Sequence, residues 1–274
     1  MSDLANKFID VKKVIKDKNP KLLKYLPRFV VSYLQKILRE KQVNNFINNN
    51  VKSDGFLFSE NSLKMLNLDV QSSGLQNVPK DSGVILACNH PIGGMDAMAL
   101  IQAMKGHRKD IKFVVNDILL ELKNLAELFV GVNKHGKNSA EALKHMNGVF
   151  GGGGATFVFP AGLVSRKKGK VIEDLEWKKT FVTRAKKFGV PVIPVYIDGS
   201  LSSFFYKLSN LREKVGVKAN IEMLYLVDEQ FRQKDKTIKI YFGELISPGF
   251  FTKEKSDRDW AQVIKKKVYQ LKTE

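Results

Sequence analysis

The chain has a single cysteine in 274 residues, Cys88. No intramolecular disulfide can form, so nothing points to a stapled domain of an oxidising compartment. Long apolar runs are missing too. The longest stretch without a charged side chain, 145–165 with histidine counted neutral, holds four consecutive glycines and Pro160 in its interior. That pattern reads as a turn leading into a strand, not as a membrane span. The opening MSDLANKFIDVKK has no uninterrupted apolar core, so no secretory signal is expected. His107, His135 and His145 stand at no metal-ligand spacing from cysteines or carboxylates, and no metal is expected. Acid is scarce: 28 Asp and Glu face 46 Lys and Arg, giving a net charge of +18. No nucleic-acid recognition motif accompanies the excess, which makes nucleic acid the weakest of the polyanionic partners. An anionic membrane surface or an acidic carrier protein fits the charge as well.

The 43% hydrophobic content is ample for a core, and the length suits one large domain or one with a small appendage. Residues 1–50 carry eleven Lys and Arg against four Asp and Glu. Asn19-Pro20 reads as a helix start, and Leu22, Leu23, Leu26, Phe29, Val30, Tyr33, Leu34, Ile37 and Leu38 follow at helical spacing. Pro27 should kink or split this helix. Two readings fit it: a helix packed on the main domain, or a basic amphipathic helix lying in a membrane interface. Residues 51–80 are mixed, with strand-like pieces at 56–58 and 68–70.

From 84 onward strand and helix patterns alternate. Strands are predicted over 84–88, 112–115, 129–132, 155–159 and 190–197. Helices are predicted over 96–104, 118–125, 139–149 and 178–188. A late strand follows over 238–242, and Ser256 with Asp259 caps a last helix. The fold expected is α/β: a mixed, largely parallel sheet flanked by helices, with 51–274 as its domain and 1–50 preceding it as an amphipathic helical segment.

One stretch is richest in chemistry, VILACNHPIGGMDAMA over 84–99. A strand delivers His90, a loop with Pro91, Gly93 and Gly94 folds back, and Asp96 opens a helix. A histidine oriented by a carboxylate is a general base able to take a proton from a hydroxyl. Asp96 equally suits a helix cap, and the two roles are compatible. Gly93 and Gly94 either present N–H groups to a developing oxyanion or make a plain tight turn. Two further loops, 133–137 and 160–168, fall at strand ends, where ligands of α/β sheets collect. In the second, Arg166, Lys167 and Lys168 either hold an anionic group or form a solvated charge run. The glycines at 151–154 lack GK[ST] and precede a strand, so they read as a connector and not a phosphate loop. Cys88 lies inside an apolar run, a poor place for a nucleophile.

NHPIGGMD, FPAGLVSRK and VPVIPVYI, in this order and at these separations, resemble the motifs of the glycerolipid acyltransferase superfamily, whose best-known members are lysophosphatidate acyltransferases. The sequence is most similar to a bacterial branch with NHPxGGxD that includes hemolysin-type proteins and lyso-ornithine or glycine-lipid acyltransferases. The resemblance covers roughly residues 20–250. It implies an α/β domain preceded by membrane-associating helices, and acyl transfer from acyl carrier protein or coenzyme A to a lipid hydroxyl. By position, His90 resembles the family's base and Asp96 its orienter. Asn89, Gly93 and Gly94, which flank them, are candidate substrate-binding residues. Asn133 and Lys134 stand in the second motif, which binds the acceptor; Phe159, Pro160, Gly162 and Arg166 stand in the third. Pro191 and Pro194 stand in the apolar fourth.

Two departures bear on the acceptor and the turn. Five residues separate His90 from Asp96 where the family usually has four, so the glycine turn must absorb the extra one. Ala161 and Leu163 replace the acid and threonine of FPEGT, which favours an acceptor without the glycerol phosphate. The resemblance thus implies a peripheral enzyme on the cytoplasmic face of a membrane. It would move a fatty acyl group from a thioester co-substrate, with no other cofactor, to a lysolipid, first of all a lyso-amino-acid lipid. The alternatives are a lysophosphatidate or glycerol-phosphate acyltransferase and a non-enzymatic basic membrane-binding protein.

Overall fold

The computed structural model describes residues 7–19, 25–131 and 139–273. They form two compact units. The larger, Asp54–Leu201 with Lys234–Glu274, is the α/β body; the smaller joins Met1–Ser53 to Ser202–Gln233. Residues 202–233, which the sequence pattern places in the α/β domain, therefore pack with the N-terminal helices.

In chain order the helices are α1 (Val11–Lys18), α2 (Arg28–Ile37), α3 (Glu40–Asn49), α4 (Gly55–Met65), α5 (Gly94–Met104), α6 (Ser139–Gly151), α7 (Thr180–Phe188), α8 (Ser203–Lys214), α9 (Leu226–Phe231) and α10 (Asp257–Gln270). The strands are β1 (Asp69–Ser73), β2 (Val84–Cys88), β3 (Ile111–Val115), β4 (Phe129–Gly131), β5 (Ala155–Val158), β6 (Arg166–Lys168), β7 (Val171–Glu173), β8 (Val192–Asp198) and β9 (Thr237–Phe242). Seven of them make one sheet in the order β1-β9-β8-β2-β5-β3-β4, and β6 and β7 form a separate antiparallel hairpin. Every pair in the large sheet is parallel except β8 with β9, which turns β9 and β1 against the rest. The α/β expectation holds, with a mixed sheet that is mostly parallel.

Continuous apolar runs explain the centre of this sheet. VILAC in β2 and ATFV in β5 are buried along their whole length, as parallel strands covered on both faces must be. Trp177, Phe181 and Ala185 pack on one face together with Trp260, Ile264 and Val268 of α10. Ser256 caps α10 by accepting from the Asp259 N–H, as its sequence signature predicts.

Several local expectations need correction. The strand-like piece at 56–58 lies within α4, because Asp54 accepts from the Leu57 N–H at 2.8 Å and caps a helix there. The helix expected over 118–125 is two 3₁₀ turns, Asp117–Glu121 and Lys123–Leu125. Asn19 is the C-cap of α1, and the helix start expected at Asn19-Pro20 falls on residues 20–24, outside the described residues. Pro27 does split the N-terminal segment, since α2 begins just after it, and Arg39 in the left-handed region (φ 48°) separates α2 from α3. Pro191 and Pro194 of the fourth motif stand just before β8 and within it: the Pro191 carbonyl accepts from the Ile85 N–H, and Pro194 lies beside Ala87.

In the smaller unit, Arg39 pairs with Asp228, and the Val11 N–H donates to Glu40. A buried Arg212–Glu222 pair (2.9 Å) ties α8 to the turn Ile221–Tyr225. Among the described residues no helix is long and apolar enough to cross a membrane.

Candidate active site

The parallel register brings the C-terminal ends of β2 and β5 side by side, with Ala87 opposite Val158. His90 lies two residues past β2 and Phe159 one residue past β5, so their rings meet with centroids 4.2 Å apart and planes tilted by 31°. Past His90 the chain turns at Gly93, whose φ of 92° and ψ of −134° suit glycine alone. That turn absorbs the extra residue between His90 and Asp96. The helix then starts at Gly94, two residues before its expected start, and Asp96 occupies its third position.

From there Asp96 reaches back. Its Oδ2 accepts from the Ile92 N–H at 3.0 Å and the Gly93 N–H at 2.9 Å, which caps α5. The same oxygen lies 2.9 Å from His90 Nδ1. The orienting and capping roles therefore coexist on one oxygen. Asp96 is fully buried, whereas the His90 side chain is 20% exposed. The Nδ1–H direction is not aligned on Oδ2. Catalytic hydrogen bonds are often poorly aligned before substrate binds and tighten afterwards. With Nδ1 turned to the carboxylate, Nε2 is the nitrogen left for a reacting group.

The neighbouring residues divide by what their polar groups already hold. Asn89, expected to contact substrate, is buried and fully engaged: its amide donates to the Ile197 carbonyl at 2.9 Å and accepts from the Ile197 N–H at 2.7 Å. It extends the β2–β8 ladder beyond the strand end instead of facing a ligand. Gly93 likewise spends its N–H on Asp96, so of the two glycines only Gly94 keeps a donor that α5 leaves without an intrahelical acceptor. Phe159 and Gly162 close a turn through the Gly162 N–H and Phe159 carbonyl at 3.0 Å, with Gly162 at φ 71°. Pro160 is buried beside them and accepts from the Lys178 N–H. Arg166 is buried at the start of β6 and donates to the Val164 carbonyl at 2.7 Å. Lys167 and Lys168 continue that strand outward. Asn133 and Lys134 lie outside the described residues. Cys88 is wholly buried, and burial pushes its thiol well above the ordinary range, with Asp96 and Asp174 adding to the effect.

A second buried carboxylate, Asp174, escapes sequence reading. Its Oδ1 accepts from the Ser165 hydroxyl at 2.6 Å and from the His90 N–H at 3.2 Å, and its Oδ2 accepts from the Trp177 indole at 2.8 Å. The Ser165 N–H in turn donates to the His90 carbonyl at 2.8 Å. Both main-chain groups of His90 are thus clamped by the segment that carries β6 and β7. Tyr269 accepts from the Asp174 N–H at 2.7 Å, and Lys265 donates to the Asp174 carbonyl. Burial raises the Asp174 carboxyl above its ordinary value, and the bonds from Ser165, Trp177 and His90 pull the other way. The sequence signal was faint: one acid three residues before a tryptophan in DLEW, with nothing to say that it faces His90.

Asp174→Asn is expected to lower kcat by about 10- to 100-fold with KM little changed, since small displacements of a reacting group carry costs of up to roughly 10². Every partner of its two oxygens is a donor, so an amide N–H₂ must face at least one of them. Thermal unfolding should also fall, by the roughly 1–3 kcal/mol of an unsatisfied buried donor. Steady-state kinetics at saturating acceptor check the first effect. Wild-type kcat in a destabilised Asp174→Asn protein would make the clamp a purely structural feature.

Comparison with known proteins agrees with this architecture. The family model described as Acyltransferase matches residues 13–274. The lyso-glycine lipid O-acyltransferase of Bacteroides thetaiotaomicron is 40% identical over 272 residues, covering 99% of this chain and 100% of that protein. A protein of the same name from Phocaeicola vulgatus is 39% identical over 272 residues, covering 99% and 98%. The crystal structure of the 1-acyl-sn-glycerophosphate acyltransferase PlsC from Thermotoga maritima shares the fold, with a TM-score of 0.51 at 21% identity over 96% of this chain and 94% of that one. With a family match over nearly its whole length and relatives aligned end to end, the chain belongs to the acyltransferase family and is an acyltransferase.

Proposed function

We propose that this acyltransferase moves a fatty acyl group from an acyl carrier protein or coenzyme A thioester to the hydroxyl of a lyso-amino-acid lipid, with lyso-glycine lipid the first acceptor to test. The 2.9 Å approach of His90 Nδ1 to the buried Asp96, which leaves Nε2 as the nitrogen for the reacting hydroxyl, carries the chemistry. In the reaction, Nε2 takes the acceptor hydroxyl's proton as its oxygen attacks the thioester carbonyl carbon. Asp96 supports the imidazolium that results. The Gly94 N–H, at the positive end of α5, stabilises the oxyanion. The carbon–sulfur bond then breaks, and the leaving thiolate recovers the proton from Nε2. The thioester is a co-substrate and no other cofactor enters. A lysophosphatidate acceptor is the second reading.

Two observations favour the amino-acid lipid. Both full-length relatives are named for lyso-glycine lipid. Moreover, Ala161 in the third motif puts a buried methyl, with no charge or hydrogen-bonding group, where FPEGT has an acid. The loop from Phe159 to Arg166, held on His90 by the ring contact and the Ser165 bond, forms the acceptor side of the site. By the resemblance of the second motif, Asn133 and Lys134 bind the acceptor as well. Action on a lipid from a thioester donor places the enzyme on the cytoplasmic face of a membrane, attached at its surface. The net charge of +18 suits anionic headgroups and an acidic carrier protein.

The test is acyl transfer from labelled acyl carrier protein and acyl-coenzyme A to lyso-glycine lipid and to lysophosphatidate. Product on lyso-glycine lipid is expected, at a kcat/KM well above that for lysophosphatidate. Product on lysophosphatidate alone would replace the acceptor. No product from a folded protein with any donor would remove the reading.

A further inference from the structure

Helix α8 carries apolar side chains on its exposed side as well as on its buried one. It buries Phe205, Tyr206, Ser209 and Arg212. On its outer side Phe204 is 49% exposed and Leu211 58%, and Val215, just past its end, is 62% exposed. These three are spaced by seven and four residues, so they form one stripe. Exposed Lys207, Lys214 and Lys218 recur along the same stretch. The stripe does not end with α8. The Phe204 ring meets the Tyr225 ring edge-on at 5.0 Å, and the Tyr225 hydroxyl lies 2.8 Å from that of Tyr33 on α2. One turn earlier on α2, Phe29 is 74% exposed. Scattered exposed apolar residues need no explanation, but a continuous band running across two helices does.

We infer that residues 203–225 form a second lipid-contacting surface, which together with α2 seats the smaller unit on an anionic bilayer. The occupant follows from chemistry: aromatic and branched apolar side chains at the height of the acyl boundary, lysines at the height of the headgroups. It rests on the lipid-acceptor reading above, which requires the enzyme to reach molecules held in a membrane. The N-terminal helix alone is what the sequence suggests for this task. Ser202 seats α8 within the same unit through its N–H and hydroxyl bonds to the buried Glu229.

The experiment is flotation of the full-length chain with vesicles of zwitterionic phospholipid alone or mixed with anionic phospholipid. Three chains are compared: wild type, Phe204→Ser/Leu211→Ser/Val215→Ser and Lys207→Gln/Lys214→Gln/Lys218→Gln. All substituted side chains are exposed, so unfolding temperatures should stay near wild type. The serine variant is expected to partition at least about tenfold more weakly on both vesicles, through lost apolar burial. The glutamine variant should weaken on anionic vesicles only, by about fivefold per lysine, and the difference should vanish at high salt. Wild-type flotation by the serine variant would overturn the inference. So would a wild-type dimer in solution that the serine variant abolishes while vesicle binding persists, because the band would then join two copies. Turnover on acceptor dispersed in detergent separates this from the acyl-transfer reading: the serine variant should retain it, and its absence from wild type would count against the reaction without touching the flotation result.

Discussion

His90→Ala is expected to reduce acyl transfer by at least about 10²–10⁴-fold, the usual worth of general acid–base assistance, while the protein stays folded. Removal of the ring takes away Nε2, the atom to which the acceptor hydroxyl would give its proton. The fold should tolerate it. Both main-chain groups of His90 remain clamped by Asp174 and Ser165, and the ring is 20% exposed. The loss of its contact with Phe159 is worth about 0.5–1.5 kcal/mol beyond area burial. Initial rates with saturating thioester, alongside a thermal melt, check both halves. A folded His90→Ala enzyme with wild-type rate would exclude the histidine as base.

Asp96→Asn isolates charge from geometry. A single oxygen, Oδ2, meets the Ile92 N–H, the Gly93 N–H and His90 Nδ1. The asparagine amide must put its oxygen there, because the opposite flip would set N–H₂ against two N–H donors. The cap and the direction of the imidazole are then preserved, and what disappears is the negative charge that favours the imidazolium. In the serine-protease triad the equivalent change costs about 10⁴ through the wrong tautomer. Here the tautomer is retained, so a smaller loss, about 10²-fold in kcat with KM nearly unchanged, is expected. Asp96→Ala should do worse on stability, since it strands two buried N–H donors at roughly 1–3 kcal/mol each. Measured kcat for the two variants, compared with their melting temperatures, separates the roles. If Asp96→Asn kept most of the wild-type kcat, Asp96 would be a helix cap and nothing more.

The sequence by itself determined the α/β class, the strands β2, β5 and β8, and the pairing of His90 with Asp96. Each of these is written locally. Buried parallel strands are unbroken apolar runs, and a histidine, a glycine turn and an acid within seven residues can meet without help from the rest of the chain. The capping role of Asp96 was legible for the same reason. Roles that depend on distant partners were not. Asn89 looks like a ligand-binding residue until Ile197, 108 residues away, takes both ends of its amide. Asp174 looks like any surface acid until the sheet brings His90, 84 residues earlier, onto its carboxylate. The exposure of Phe204, Leu211 and Val215 is not written in the sequence either, because apolar periodicity records a stripe but not whether protein covers it. Only the packing of Phe205, Tyr206 and Arg212 on the opposite side turned that stripe outward.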